Sequence, residues 1–175
     1  MVDGAAGGAA NLKPAWTVQN VQPLQSFIQS GETTCGQTCA AAMAQNMGFT
    51  NVTEQTLIDA VGTGTQAAPE LANALKNATG IPVVGGTTPF NPAELSTSQM
   101  QSVVSNLTQN GNQPVMVLLQ SPNSSLGSVG HWVIADGLDA AGNIVIQDPA
   151  GLQYTMTPTN FTNAWKSGAL VTPSK

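Results

Sequence analysis

Apolar residues recur at helical spacing through the first half of the chain and gather into short β-branched runs in the second. The stretch 35–47 has the strongest helical pattern. Ala40, Ala41, Ala42, Met43 and Ala44 fill its centre, Thr33 and Thr34 precede it as N-cap residues, and Gly48 follows as a stop. Such a run of alanines lets a helix backbone approach a sheet closely. Thr53, Thr56 and Leu57 open a second short helix that ends near Gly62, and Leu71, Ala74 and Leu75 mark a third over 69–77, stopped by Gly80. After a loop over 85–91, Met100, Val103, Val104 and Leu107 define an amphipathic fourth helix over 98–109.

From Pro114 the period changes. Val115 to Leu119, Trp132 to Leu138 and Ile144 to Gln147 are of strand length and are bounded by Gly, Asn, Asp and Pro. A last helix starts with Pro158 in its first turn and runs to about Trp165, and an edge strand over 169–172 follows. Residues 16–28 read as an extended segment crossing the surface. The links between strands are mostly too short for crossover helices, so the strands pair antiparallel and the fold class is α+β, a helical half followed by a sheet. At 175 residues and 41% hydrophobic content, one domain over 16–175 is expected. Residues 1–15, opening with Gly and Ala and one acid, read as a flexible leader or the end of a linker from a longer polypeptide, without the layout of a secretory signal.

Charge narrows the partners. Only 7% of residues are charged, the net charge is -5, and there is no arginine. Lys13, Lys76, Lys166 and Lys175 are too scattered to neutralise a phosphate backbone, which excludes nucleic acid, and anionic membrane surfaces fall for the same reason. The most continuous apolar run, Val115 to Leu119, is far short of the roughly 20 residues that span a bilayer.

The candidate chemistry begins with Cys35, which the helix pattern places at a helix N-terminus. There the unpaired N–H groups and the macrodipole favour a thiolate, although a helix-start cysteine is more commonly a packing residue. A Cys35–Cys39 disulfide is not expected, because helical i and i+4 Cβ atoms lie about 5–6 Å apart, beyond the usual ~3.5–4.5 Å. His131 is the single histidine and opens a strand. If Asp139 to Gly142 form the turn of its hairpin, Leu138 faces Asn143 and Val133 faces Asp148. His131 and Asp148 then become same-face diagonal neighbours, about 7–8 Å apart at Cα, within reach of a side-chain hydrogen bond. Asp136 points through the other face and Asp139 lies in the turn. Trp132, next to His131, points away from it into the core, and Trp16 and Trp165 read as core aromatics too. Cys35, Cys39 and His131 match no common structural zinc spacing, so neither a metal nor a cofactor is expected.

The arrangement Gln29-x5-Cys35-Gly36-x2-Cys39, then Gly130-His131-Trp132-Val133-Ile134, then Asp148-Pro149-x-Gly151, resembles the bacteriocin-processing, double-glycine peptidase family of papain-like fold. The resemblance runs from about residue 25 to 155. It implies a papain-like α+β fold with the nucleophile helix packed on a C-terminal antiparallel sheet. It also implies Cys35 as nucleophile, His131 as its base, Asp148 as the residue that orients the ring, and Gln29 as the oxyanion donor. Composition alone does not single out Gln29. Thr34 stands where the family usually carries an acid, and no transporter is fused here, so cleavage after a Gly-Gly leader is not carried over. A stand-alone papain-like domain behind a Gly/Ala linker resembles the toxic tip of a secreted bacterial effector. Its expected partners are a protein or peptide substrate and a cognate immunity protein. The same Cys-His-Asp set also serves acyl transferases, transglutaminases and deamidases, and a non-catalytic papain-like binding module would keep these residues for structure.

Overall fold

The structure, a computed structural model, describes residues 14–124 and 130–174. Most of the expected leader therefore lies outside the described residues, while Ala15 already packs against the core. In chain order the elements are β1 (Gln19–Ile28), α1 (Cys35–Asn46), α2 (Glu54–Val61), α3 (Ala68–Thr79), β2 (Val83–Thr87), α4 (Thr97–Leu107), β3 (Val115–Leu119), β4 (His131–Leu138), β5 (Ile144–Asp148), β6 (Ala150–Met156), α5 (Pro158–Ala164) and β7 (Ala169–Pro173). The strands form one sheet in the order β1-β6-β5-β4-β3-β7-β2, and every recorded pairing is antiparallel. No described helix is long and apolar enough to cross a membrane.

Alternation along the central strands divides the core into two layers. Met116, Trp132, Ile134 and Val171 face α1 and α3 and pack with Cys39, Ala40, Met43, Leu71 and Leu75. Val117, Val133, Ile146 and Tyr154 face the other way, onto Met100 and Val104 of α4, Phe161 of α5, Trp165 and Trp16. Removing each such large side chain from water contributes roughly 1.5–3 kcal/mol. The α+β, papain-like layout is thus present, with α1 laid against the sheet and α4 carried to the opposite face.

The structure adds to or departs from the sequence expectations at β1, β2, β6 and β7. The segment 16–28 is in large part the strand β1, paired along β6 at the sheet edge. The expected loop over 85–91 instead begins inside β2, where Gly85 serves close approach rather than a turn: a Cβ there would lie 2.2 Å from the Ala68 carbonyl oxygen. β6 follows β5 after the single residue Pro149 and carries no continuous strand pattern, because its run is broken by Gly, Gln and Thr. β7 is an interior strand between β3 and β2 and not an edge.

The β4–β5 hairpin departs from expectation near its turn and returns to it further on. Leu138 pairs with Ile144, not with Asn143, and Asp139 N–H donates to the Asn143 carbonyl at 2.8 Å. Gly137, at φ +88°, lies in the stretch where β4 carries one extra residue. A glycine in the left-handed region accommodates such a bulge. Beyond it Ala135 pairs with Ile146 and Ile134 with Gln147, the register that sets Val133 opposite Asp148.

Candidate active site

His131 is the first residue of β4 and Asp148 the last of β5, and the register puts both side chains on one face of the sheet. His131 Nε2 lies 2.6 Å from Asp148 Oδ1, and both residues are fully buried. Asp148 Oδ1 also accepts the Ala150 N–H at 2.9 Å, and Oδ2 accepts the Tyr154 hydroxyl at 2.7 Å. Tyr154 pairs with Ile146 and is therefore the diagonal neighbour of Asp148 on its other side. The carboxylate sits between an imidazole from β4 and a phenol from β6.

Cys35 arrives from the opposite layer as the first residue of α1. Thr34 occupies the N-cap position but does not cap: its hydroxyl bonds back to Gly31, accepting that N–H at 3.1 Å, and no side chain caps α1. The positive end of the helix is thus left facing the thiol. Trp132 N–H points to Cys35 Sγ at 3.4 Å, and the Cys39 thiol donates to the Trp132 carbonyl at 3.5 Å. Both cysteines are free thiols. The two sulfurs engage the two backbone groups of one residue, which fixes α1 against the start of β4.

These surroundings treat the thiols oppositely. Burial is the largest influence on Cys35 and pushes its pKa up. The hydrogen-bonding and charge of His131, with the Trp132 N–H, outweigh burial, and the thiol lies below its ordinary value of 9.0. Burial likewise pushes His131 down, but the Asp148 charge and hydrogen bond, aided by Cys35, prevail and raise it to about 10. Cys39 has only burial and like charge around it and is held well above the ordinary thiol range. His131 Nδ1 makes no hydrogen bond of full geometry, while the ring lies close enough to the thiol to influence it.

Gln29 is also fully buried, and its backbone N–H donates to the Pro149 carbonyl at 2.7 Å, so it adjoins the Asp148 end of β5. Its Nε2 donates to the carbonyls of Gly31 at 2.6 Å and Glu32 at 3.2 Å, while Oε1 has no partner. The amide protons are spent on the loop before α1. That loop is tethered to α2, where the Glu54 carboxylate accepts the Ser30 hydroxyl at 2.8 Å.

Two neighbours of the site, Trp16 and Tyr154, carry no functional signal in the sequence pattern. The Trp16 ring lies 6.2 Å from the His131 ring, tilted by 30°, and its indole N–H donates to the Tyr154 hydroxyl at 3.1 Å. Tyr154, the single tyrosine, stands in the buried alternation of Leu152, Tyr154 and Met156, a period-two signal that could have revealed both β6 and the phenol. Trp132 is buried on the other face, its indole donating to the Gln66 carbonyl at 3.0 Å. Among the described residues no group of His, Cys, Asp and Glu could hold a metal ion.

The model of the Peptidase_C39 like family matches residues 13–169. The chain belongs to this family. As a C39-like protein it is an enzyme of the cysteine-peptidase type. It is 27% identical over 175 residues to Cysteine protease effector 1 of Escherichia coli O1:K1:H7; the match covers 99% of this chain but 31% of that longer protein. Two solved structures share the C39-like fold. One, described as a C39-like peptidase from Bacillus anthracis, is 16% identical with a TM-score of 0.58 over 90% of this chain and 93% of that one. The other, a double glycine motif protease from an AMS/PCAT transporter in complex with its leader peptide, is 18% identical with a TM-score of 0.56 over 90% and 94%.

Proposed function

We propose that this C39-like chain hydrolyses peptide bonds in protein substrates through Cys35, His131 and Asp148, with Gln29 at the oxyanion site, and that it acts as a bacterial effector delivered into a target cell. His131 takes the Cys35 proton, and the thiolate attacks the scissile carbonyl carbon. The C–N bond breaks as the imidazolium protonates the leaving amine, and water, deprotonated by His131, releases the acid from the thioester. Asp148 holds the ring through Nε2 and leaves Nδ1 toward the sulfur. The oxyanion is held by the Cys35 N–H at the uncapped end of α1 and by the Gln29 amide, which must first leave the carbonyls of Gly31 and Glu32.

The observation that carries this reading is one buried constellation: a helix-terminal thiol lowered by an imidazole, and that imidazole 2.6 Å from a carboxylate. The effector role rests on the relative's printed name, and the chain spans about a third of that relative's length. An effector that cleaves cellular proteins calls for a cognate inhibitor in the producing cell. The test is expression of the chain and of Cys35→Ala in a bacterial cytoplasm without such an inhibitor, with proteome-wide mapping of new protein N-termini. New termini and growth arrest with the unaltered chain alone support the proposal; identical maps refute it.

A further inference from the structure

We propose that Tyr154 and Trp16 are positioning residues of the site, forming with Asp148 a one-directional hydrogen-bond chain that fixes the tautomer of His131 and holds the Asp148 carboxylate in place. This rests on the peptidase reading above. The indole N–H of Trp16 can only donate, and it donates to the Tyr154 oxygen at 3.1 Å. The phenol has one proton, and it is directed to Asp148 Oδ2 at 2.7 Å. Burial, then the Asp148 charge and bond, hold that phenol well above the ordinary tyrosine range, so it remains a donor wherever the enzyme works. The carboxylate can only accept. With Tyr154 on Oδ2 and the Ala150 N–H on Oδ1, the 2.6 Å contact at Oδ1 requires His131 Nε2 to carry a proton. In the neutral ring that proton position leaves the lone pair on Nδ1, the nitrogen turned toward the thiol. The chain therefore sets the direction of proton transfer from the far side of the sheet.

Asp148 is fully buried. A buried carboxylate has lost its hydration and is held in one orientation by the donors that replace it. Removing the phenol proton takes the Tyr154 donor from Oδ2, and a carboxylate no longer held on that side positions less firmly the imidazolium that stabilises the Cys35 thiolate. Trp16 has a second part to play: its ring, 6.2 Å from the imidazole and only 5% exposed, packs beside His131 in the layer opposite α1.

The test is the rate of Cys35 alkylation by iodoacetamide as a function of pH, followed by intact mass and peptide mapping, for the full chain, Tyr154→Phe and Trp16→Phe. Alkylation reads the thiolate directly and needs no knowledge of the substrate. In Tyr154→Phe the acid limb of the profile is expected to move to higher pH, with the rate near neutrality lowered about tenfold, the worth of one buried hydrogen bond to a charged group. Trp16→Phe, which keeps a ring over His131 but loses the N–H, is expected to shift the limb the same way by less. A merely structural role would lower the melting temperature and leave the limb in place, and a folded Tyr154→Phe with the unaltered profile overturns the inference. Should Tyr154→Phe not fold, the Trp16→Phe limb decides on the same criterion. An unaltered chain that alkylates no faster than free cysteine at neutral pH sinks the peptidase reading itself, a result distinct from an enhanced rate that the two variants leave unchanged.

Discussion

Cys35 and His131 belong to opposite faces of one sheet and interact only at its end, where β4 begins. The thiol comes with α1 from the layer of Trp132 and Ile134, whereas the imidazole shares its face with Val133. They influence each other because His131 is the first residue of β4, paired with Leu119, the last of β3. Neither the helix nor the hairpin alone can build the site, so reactivity should be lost in the same cooperative transition as the fold.

The two thiols should separate cleanly by substitution. Cys35→Ala is expected to fold and to lose roughly 10⁴-fold or more in turnover. Cys39→Ala removes a thiol that burial keeps protonated and should cost about 1 kcal/mol of stability with turnover retained. Turnover and thermal melts on both variants check this; equal loss of turnover from folded proteins would remove Cys35 as the nucleophile.

The pH profile follows from two shifts of opposite sign. Thiolate is present below the ordinary thiol value of 9.0, and imidazolium persists until pH passes about 10. Reaction through the pair therefore rises as the thiol ionises and falls as the ring loses its proton. Asp148→Asn removes the largest influence raising His131 and leaves burial, which lowers it, so the alkaline limb should move down by about one to three pH units. An alkaline limb that stays near pH 10 in a folded Asp148→Asn protein would contradict the assignment.

Gln29 offers a test of the oxyanion site. If its amide turns from Gly31 and Glu32 to the developing oxyanion, Gln29→Ala should lower kcat about 10²–10³-fold with KM little changed. A residue that only ties the loop would change stability and substrate affinity instead. Steady-state kinetics beside a denaturation curve distinguish the two.

The strand register can be perturbed at Gly137. Gly137→Ala places a side chain at φ +88° and within 2.9 Å of Gly111 Cα, so it should destabilise the fold by about 1–2 kcal/mol or more. If the strand escapes by losing the bulge, Asp148 no longer shares a face with His131 and thiol reactivity falls beyond what the stability loss explains. Denaturant unfolding and alkylation rate, measured together, check this.

Much of this was legible in the residues. The alanine run marked α1, and its first residue is the thiol at the site; the period-two run from Trp132 marked β4 and with it the pairing of His131 and Asp148. The turn expected over Asp139 to Gly142 is one residue out, yet Asp148 still meets His131, because the Gly137 bulge restores the register before that pair. What stayed hidden depends on contacts between distant segments. Gly85 looks like a loop residue until α3 is laid over it, and β6 is interrupted by small and polar residues on its outward side. Trp16 is an ordinary core aromatic until the fold brings it, through Tyr154, to the back of Asp148. The turn of the Gln29 amide toward its own loop follows from backbone geometry that no spacing encodes.

The central claim is that Cys35, activated by His131, is the attacking group toward a peptide carbonyl. The most direct measurement is intact-mass and peptide-mapping analysis after treating the purified chain at neutral pH with a peptide-like thiol-reactive electrophile, beside His131→Ala. Rapid single labelling at Cys35, absent from Cys39 and abolished in a folded His131→Ala protein, is the predicted result. Labelling no faster than a free thiol, or unchanged when His131 is replaced, would contradict it.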